Sequence, residues 1–199
     1  MKILAVSDEE SKYYYEHYSA GKLDEFDLII GCGDLRKDYL EFLATMAKCH
    51  VMYVRGNHDD LLNDDPPGGC ECIDGRLVEY KGIRILGLGG SQRYKEGLNM
   101  YTEADMKRRY YRLLPRIRRA GGIDILVTHS PARGVNDLDD DVHRGYETFN
   151  EIIRRYEPQY MVHGHIHKSY AMRVPQATPL GTTTVMNACD YCTFEIETD

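Results

Sequence analysis

Hydrophobic and polar positions along this chain follow two different periods. Short apolar runs rich in β-branched residues are typical of buried β-strands. These runs predict strands at 2–7, 27–31, 51–55, 77–80, 83–88, 124–128 and 159–163, with two or three more in 169–197. Elsewhere apolar residues recur at i, i+3, i+4 and i+7, the spacing of one helix face. The helices predicted in this way lie at 36–48, 103–119 and 146–156, and a further helix is predicted near 11–19.

The order of these elements predicts the fold. Strands and helices alternate in the first half, which implies parallel strands joined by helical crossovers. Successive strands joined by short turns, as at Tyr80-Lys81-Gly82 and in the tail, imply antiparallel pairing. Two mixed β-sheets packed face to face with helices outside satisfy both halves. We therefore predict an α/β fold, a four-layer αββα sandwich, in one domain spanning residues 1–199.

One residue interrupts the longest helical pattern. Pro115 lies inside the segment 103–119. Proline removes a backbone donor and clashes with the preceding turn, so we expect that helix to kink or end near Leu114.

Residue types that ligate metals follow five of the predicted strands at the points where the strands end. In open α/β sheets, ligands bind at the carboxyl ends of strands. The pattern therefore predicts that these side chains converge on one edge of a sheet. The residues concerned are Asp8, Gly33-Asp34, Gly56-Asn57-His58-Asp59, His129 and His163-Gly164-His165-Ile166-His167.

Taken together, these motifs resemble the calcineurin-like metallophosphoesterase superfamily. Its pattern is D-x-H, G-D, G-N-H-[DE], H and G-H-x-H in that order, and the resemblance runs from residue 1 to about 167. This resemblance implies the αββα sandwich independently of the hydrophobic periodicity described above. One position departs from the pattern, because Glu10 stands where the family has histidine.

The resemblance also implies a centre of two divalent metal ions. In that reading Asp34 is the carboxylate that bridges both ions, and His58 protonates or stabilises the leaving oxygen. The remaining ligands are Asp8 and His167 for the first metal, and Asn57, His129 and His165 for the second. Taken singly, several of these residues have ordinary structural explanations: Asp8 as a helix N-cap, Asn57 as a turn residue, and His129 as a buried polar residue.

Glu10 is open to two interpretations. If the first strand continues, the i, i+2 spacing points Asp8 and Glu10 the same way, and Glu10 ligates the first metal. A further oxygen ligand favours hard ions, so Mn²⁺ is the expected metal, with Fe, Zn, Ni or Mg as alternatives. In the other interpretation Glu10 faces solvent or caps the following helix.

Net charge and hydropathy limit the kinds of binding partner and the compartment that we expect for the protein. The formal net charge is −7, which argues against generic binding to nucleic acids or anionic membranes. No apolar run is long enough for a signal-peptide core or a membrane span, so we expect a cytoplasmic protein.

Six cysteines are expected to be reduced thiols in that compartment. Cys70-x-Cys72 and Cys189-x-x-Cys192 could form a zinc knuckle or a redox pair. The alternative, which we favour, is that they serve as small apolar side chains.

The resemblance implies a phosphodiesterase that cleaves a small phosphodiester or nucleotide with a metal-bridging hydroxide. Arg93, Tyr94, His143 and Arg144 are expected near the metals, where they could bind a phosphate or a ring. The alternative function is a scaffold or binding protein that keeps the fold and has lost catalysis.

Overall fold

The computed structural model describes residues 1–167 and 174–197. The strands are β1 (Lys2–Ser7), β2 (Leu28–Gly31), β3 (His50–Tyr53), β4 (Cys70–Cys72), β5 (Arg76–Tyr80), β6 (Ile83–Leu88), β7 (Ser91–Gln92), β8 (Met100–Tyr101), β9 (Ile125–Thr128), β10 (Tyr160–His163), β11 (Ala177–Leu180), β12 (Thr183–Asn187) and β13 (Asp190–Glu195). The α-helices are α1 (Lys37–Met46), α2 (Glu103–Ala120) and α3 (Glu147–Tyr156), and a 3₁₀ helix spans Asp60–Asn63.

Two large sheets organise the described residues. One has the strand order β13-β1-β2-β3-β4, and the other has the order β11-β12-β10-β9-β6-β5. Strands β1 to β4 pair in parallel, as do β12, β10, β9 and β6, whereas β13, β11 and β5 pair antiparallel at the sheet edges. Both sheets are therefore mixed, as the sequence predicts.

Alternation along the strands divides the apolar residues among three layers of packing. In β1, Ile3 and Ala5 point between the two sheets, while Leu4 and Val6 point to the outer face. The outer face of the five-stranded sheet is covered by α1, and that of the six-stranded sheet is covered by α2 and α3. This arrangement confirms the predicted four-layer αββα sandwich.

The helix predicted near 11–19 is absent, and the prediction was wrong there. The segment folds as consecutive turns whose backbone bonds span different distances: Tyr15 N–H donates to Ser11, His17 to Lys12, and Tyr18 to Tyr15. Such a mixture cannot build a regular helical ladder. The tyrosines instead fit their rings individually against the outer sheet face, where Tyr14 is almost fully buried.

Pro115 neither ends α2 nor divides it, contrary to the expected break. The helix continues from Glu103 to Ala120, held by a capping box between Thr102 and Asp105 and by a left-handed Gly121 at its C-terminus. Its buried residues lie on both sides of the proline, so packing against the six-stranded sheet offsets one missing hydrogen bond. They are Met106, Tyr110, Leu113 and Ile117.

The carboxyl ends of the parallel strands of both sheets meet at one edge, called the site edge below. Cross-sheet hydrogen bonds define it: the His129 ring contacts the Cys32 carbonyl, and His165 N–H donates to Asp8. Within the described ranges, no helix combines the length and apolar character needed to cross a bilayer.

Candidate metal centre

Three residues at the site edge adopt left-handed backbone. The φ angles of Asp8, Asp34 and His165 are 64°, 54° and 69°. Non-glycine residues seldom occupy this region, and they cluster at functional sites when they do. In each case the chain turns sharply after a strand, and the turn brings the side chain back over the strand ends.

Two glycines allow the backbone to pack closely at these turns. A Cβ atom on Gly56 would overlap Asp34 Oδ1, and one on Gly164 would overlap Ser7 Oγ and lie 2.7 Å from Asp8 Oδ2. The two glycines therefore let the G-N-H-D and G-H-x-H segments approach the two aspartates.

Gly164→Ala is expected to destabilise the protein by about 1–3 kcal/mol, because the added methyl group must displace Ser7 or Asp8. Thermal denaturation measures the loss of stability. Gly68→Ala is the matched control, since its Cβ would meet only Glu41 Oε1 at 3.5 Å. Equal melting temperatures for the two variants would contradict the close-approach argument.

The residues predicted to hold the second metal lie close together in the structure. One ligand atom from each of Asp34, His129 and His165 lies within 4.8 Å of the others. His129 Nε2 is 3.0 Å from Asn57 Oδ1 and 3.4 Å from Asp34 Oδ2. Asn57, His129 and His165 are all buried. Carboxylate, amide and imidazole ligands suit a divalent ion of the first transition row.

Hydrogen bonds on the far side of each imidazole orient it for ligation. His129 Nδ1 lies 2.8 Å from the Cys32 carbonyl oxygen, so Nδ1–H donates there and Nε2 faces Asp34. His165 Nε2 lies 2.8 Å from the Val142 carbonyl oxygen, so Nε2–H donates there and Nδ1 is the ring nitrogen suited to ligate a metal. A carbonyl acceptor on the second ring nitrogen is the usual support of a metal-ligating histidine.

Electrostatics at this site favour a cation. Burial alone would lower the pKa of His129, but Asp34 and Asp8 raise it to about 9. Burial acts against the ionised form of Asp34, yet the charge and hydrogen bond of His129 hold the pKa of Asp34 below its usual range. A proton on His129 thus balances the buried carboxylates, and a divalent ion would replace that proton.

Neighbouring groups hold the bridging candidate Asp34 in place. Its Oδ1 accepts a hydrogen bond of 2.8 Å from the backbone N–H of His58. Its own N–H donates to Asp59 Oδ2, which also accepts from Gly56 N–H. Burial raises the pKa of Asp59 to about 6. Asp59 therefore orients the loop that carries Asn57 and His58. By sequence position alone it is an ordinary turn residue.

Around His167, the structure places a different glutamate from the one predicted to hold the first metal. His167 Nε2 lies 3.8 Å from Asp8 Oδ1, as expected for two ligands of one ion. A second group of ligand atoms within 4.8 Å of one another contains Glu9, His167 and Cys189. Glu10 is not in this group, and its carboxylate lies 3.7 Å from Arg36 Nε.

The backbone explains why Glu9 is nearer than Glu10. Strand β1 ends at Ser7, and Asp8 is left-handed, so strand alternation stops before residue 10. The condition on which the Glu10 prediction depended is therefore not met. Direct ligation by Glu10 stays a prediction.

A cleft of about 520 Å³ opens beside Asp34 and is called the α1 cleft below. His58 is exposed there, as expected of a group that meets a substrate. The cleft runs between the N-terminus of α1 and the 3₁₀ helix. Its other lining residues include Arg36, Lys37, Glu41, Asp59, Leu61, Leu62 and Asp65.

The residues expected to bind substrate are divided between two places. The His143 ring lies 5.4 Å from the His165 ring and therefore belongs to the site edge. Arg93, Tyr94 and Arg144 line another cleft, of about 570 Å³, together with Arg133 and two glutamates. Only His143 of the four is thus placed in direct contact with a predicted metal ligand.

Comparison with known proteins identifies the family. Residues 1–192 match the calcineurin-like phosphoesterase superfamily domain. The chain belongs to that superfamily. Among its members, the human metallophosphoesterase domain-containing protein 1 is 39% identical over 212 residues, covering 86% of this chain and 61% of the human protein. An uncharacterized protein of Methanocaldococcus jannaschii is 26% identical over 213 residues, covering all of this chain and 92% of the archaeal protein.

A solved structure has a similar fold. A putative 5′-nucleotidase from Staphylococcus aureus, crystallised with α-ketoglutarate, superposes with a TM-score of 0.60 at 13% identity. The match covers 98% of this chain and 51% of the other. Metal-dependent phosphoester hydrolysis is the general chemistry of the family, and the groups of ligand side chains described above fit a divalent metal.

Proposed function

We propose that this protein is a two-metal phosphodiesterase acting on a small phosphodiester or nucleotide. The observation that carries the proposal is the convergence of Asp34 with His129 and His165, close enough to Asp8 for the two carboxylates to interact, while Asp34 also lines the α1 cleft. Two divalent ions held there would neutralise phosphoryl oxygens and lower the pKa of bound water towards neutrality. We propose Mn²⁺ as the first ion to test, with Fe, Zn, Ni and Mg as the alternatives.

Asp34 and His58 would act in different steps of the proposed reaction. Asp34 is held by the His58 N–H and by the loop that Asp59 fixes, so its carboxylate is oriented before metal binds. The exposed His58 side chain lies on the cleft side, where it can give a proton to a leaving oxygen. Imidazole is the side chain most often used for such proton transfers.

The α1 cleft favours a small substrate with an apolar or aromatic leaving group. Arg36 and Lys37, paired with Asp38 and Asp65, line the cleft, and Leu61, which is 83% exposed, offers an uncovered apolar side chain. The formal net charge of the whole chain is −7, which disfavours long nucleic acids and anionic membranes as partners. We propose a cytoplasmic location for such a reaction.

A scaffold that has lost catalysis is the second candidate. The observation that favours it is Glu10, which replaces the family's histidine and lies beside Arg36 instead of the first metal site. The buried and oriented imidazoles of His129 and His165 argue against it, because a scaffold gains nothing from ligands prepared for a metal.

Purified protein supplied with Mn²⁺ is expected to hydrolyse bis-p-nitrophenyl phosphate, and excess chelator is expected to abolish the reaction. Release of p-nitrophenolate measures the rate, and restoring the metal should restore it. The monoester p-nitrophenyl phosphate serves as the comparison that tests diesterase selectivity. Absence of turnover with Mn²⁺, Mg²⁺, Fe²⁺, Ni²⁺, Co²⁺ and Zn²⁺ alike would favour the scaffold.

A further inference from the structure

A sixth strand ends at the site edge and delivers Cys189 to it. Strand β12 is parallel to β10, with Asn187 in register with His163. The Ala188 N–H donates to the His163 carbonyl oxygen over 2.7 Å, which keeps the two chains together beyond the strand ends. The residue after Ala188 therefore enters the edge beside the segment that carries His165 and His167.

The backbone around Cys189 is fixed from two sides. Cys189 pairs with Ser7 in an isolated bridge, next to the turn at Asp8. Its N–H donates to Asn187 Oδ1, while Asn187 Nδ2 donates to the Ile166 carbonyl oxygen over 2.8 Å. Asn187 thus joins the turn of Cys189 to the histidine segment, and the position of the thiol relative to His167 is set by both.

Glu9, His167 and Cys189 face one another here and offer oxygen, nitrogen and sulfur ligand atoms. Cys189 is fully buried, Glu9 is exposed, and His167 lies between them in exposure. Their ligand atoms all lie within 4.8 Å of one another. An ion with ligands at about 2.0–2.3 Å holds them roughly 3–4 Å apart, so small side-chain adjustments would close this set around a metal.

We propose that Cys189 ligates the first metal as a thiolate, together with His167, Asp8 and Glu9, in the place left by the histidine absent at position 10. The inference rests on the metal centre of the proposed function. On binding, the metal–sulfur bond forms and the thiol proton passes to solvent. A thiolate ligand selects Zn²⁺, Fe²⁺ or Co²⁺ over Mn²⁺ and Mg²⁺ at this site. The second site, which lacks sulfur in its described ligand set, keeps its affinity for harder ions.

Cobalt-substituted protein tests the assignment, because thiolate–Co²⁺ charge transfer absorbs strongly in the near ultraviolet and oxygen or nitrogen ligands give no such band. Wild-type protein with two equivalents of Co²⁺ is expected to show the band. Cys189→Ala should lose it while the second site still binds cobalt. Cys192→Ala is the matched control, because that buried cysteine packs between the sheets, and it should keep the band.

Two further measurements make the result independent of how well Cys189→Ala folds. X-ray absorption at the zinc edge of wild-type protein should show one sulfur ligand at about 2.3 Å. Glu10→Gln should keep the cobalt band and both metals. The inference is overturned if wild-type protein binds two metals without a sulfur ligand, or if Cys189→Ala keeps the band. Hydrolysis without sulfur ligation would leave the proposed function standing, whereas failure to bind any metal would overturn both.

Discussion

Asp34→Ala is expected to lose both metal ions together and to hydrolyse phosphodiesters at least about 10³-fold more slowly. The carboxylate belongs to the group formed with His129 and His165 and is close enough to Asp8 for their charges to interact, so its removal should weaken both proposed sites. Metal ions contribute several kcal/mol of charge stabilisation to phosphoryl transfer, and each tenfold in rate corresponds to roughly 1.4 kcal/mol. Metal content by mass spectrometry and kcat/KM on bis-p-nitrophenyl phosphate measure the two effects.

Asp65→Ala is the matched control for this variant. Asp65 lines the same cleft and pairs with Lys37, but it belongs to neither ligand set. It should keep both metals and most of the activity. If Asp34→Ala retained one metal at full occupancy, Asp34 would be a ligand of a single ion and the bridging role would be wrong.

The second large effect is expected for His58→Ala, with kcat on diesters of poor leaving groups falling roughly 10²–10⁴-fold, the range for a lost general acid. Metal content should stay near the wild-type value, because the imidazole is in neither described ligand set. The backbone N–H that holds Asp34 also survives the substitution.

A leaving-group series separates this role from a general loss of activity. Diesters of p-nitrophenol need little protonation of the leaving oxygen, so their hydrolysis should fall much less than that of phenyl or alkyl esters. His17→Ala, an exposed histidine outside the site, should change neither series. A metal-free His58→Ala protein would instead identify His58 as a ligand.

Local patterns in the sequence predict most of the strands, although the short strands β4, β7 and β8 were not predicted, and they also predict which residues gather at the site edge. Each apolar run forms a strand, because a buried strand needs only a short apolar segment. The ends of parallel strands then meet by topology. His129 and Asp34, 95 residues apart in sequence by their numbers, could be placed together on that argument alone, and they lie 3.4 Å apart in the structure.

Predictions failed where tertiary packing overrides local preference. The turns near Tyr14 replace a helix because its ring and its neighbours pack individually on the sheet. Helix α2 passes through Pro115 because its buried face is continuous on both sides. Neither outcome can be read from spacing, since both depend on what the rest of the chain presents to the segment.

The first metal site shows a further limit. A ligand at position 10 follows from extending strand alternation past Asp8, but the left-handed backbone there places Glu9, and not Glu10, beside His167 and Cys189. Cys189 follows a strand end, as the other ligand candidates do, so that signal was present in the sequence. The sequence favours a small apolar side chain there, and the strand beside Cys189 is known only once the sheet order is known.

The left-handed backbone at Asp8, Asp34 and His165 divides the site into parts that differ in how freely they can be redesigned. Aspartate, asparagine and glycine tolerate such backbone, whereas β-branched or bulky replacements add strain to any change of chemistry. Exchanging ligand types at these three positions would therefore alter the fold and the metal at once. Glu9, Glu10, His167 and Cys189 are not among the described residues with positive φ, so ligands can be exchanged there without backbone strain. Laboratory selection for a new metal should therefore accumulate its substitutions at Glu9, His167 and Cys189 and leave Asp8, Asp34 and His165 unchanged.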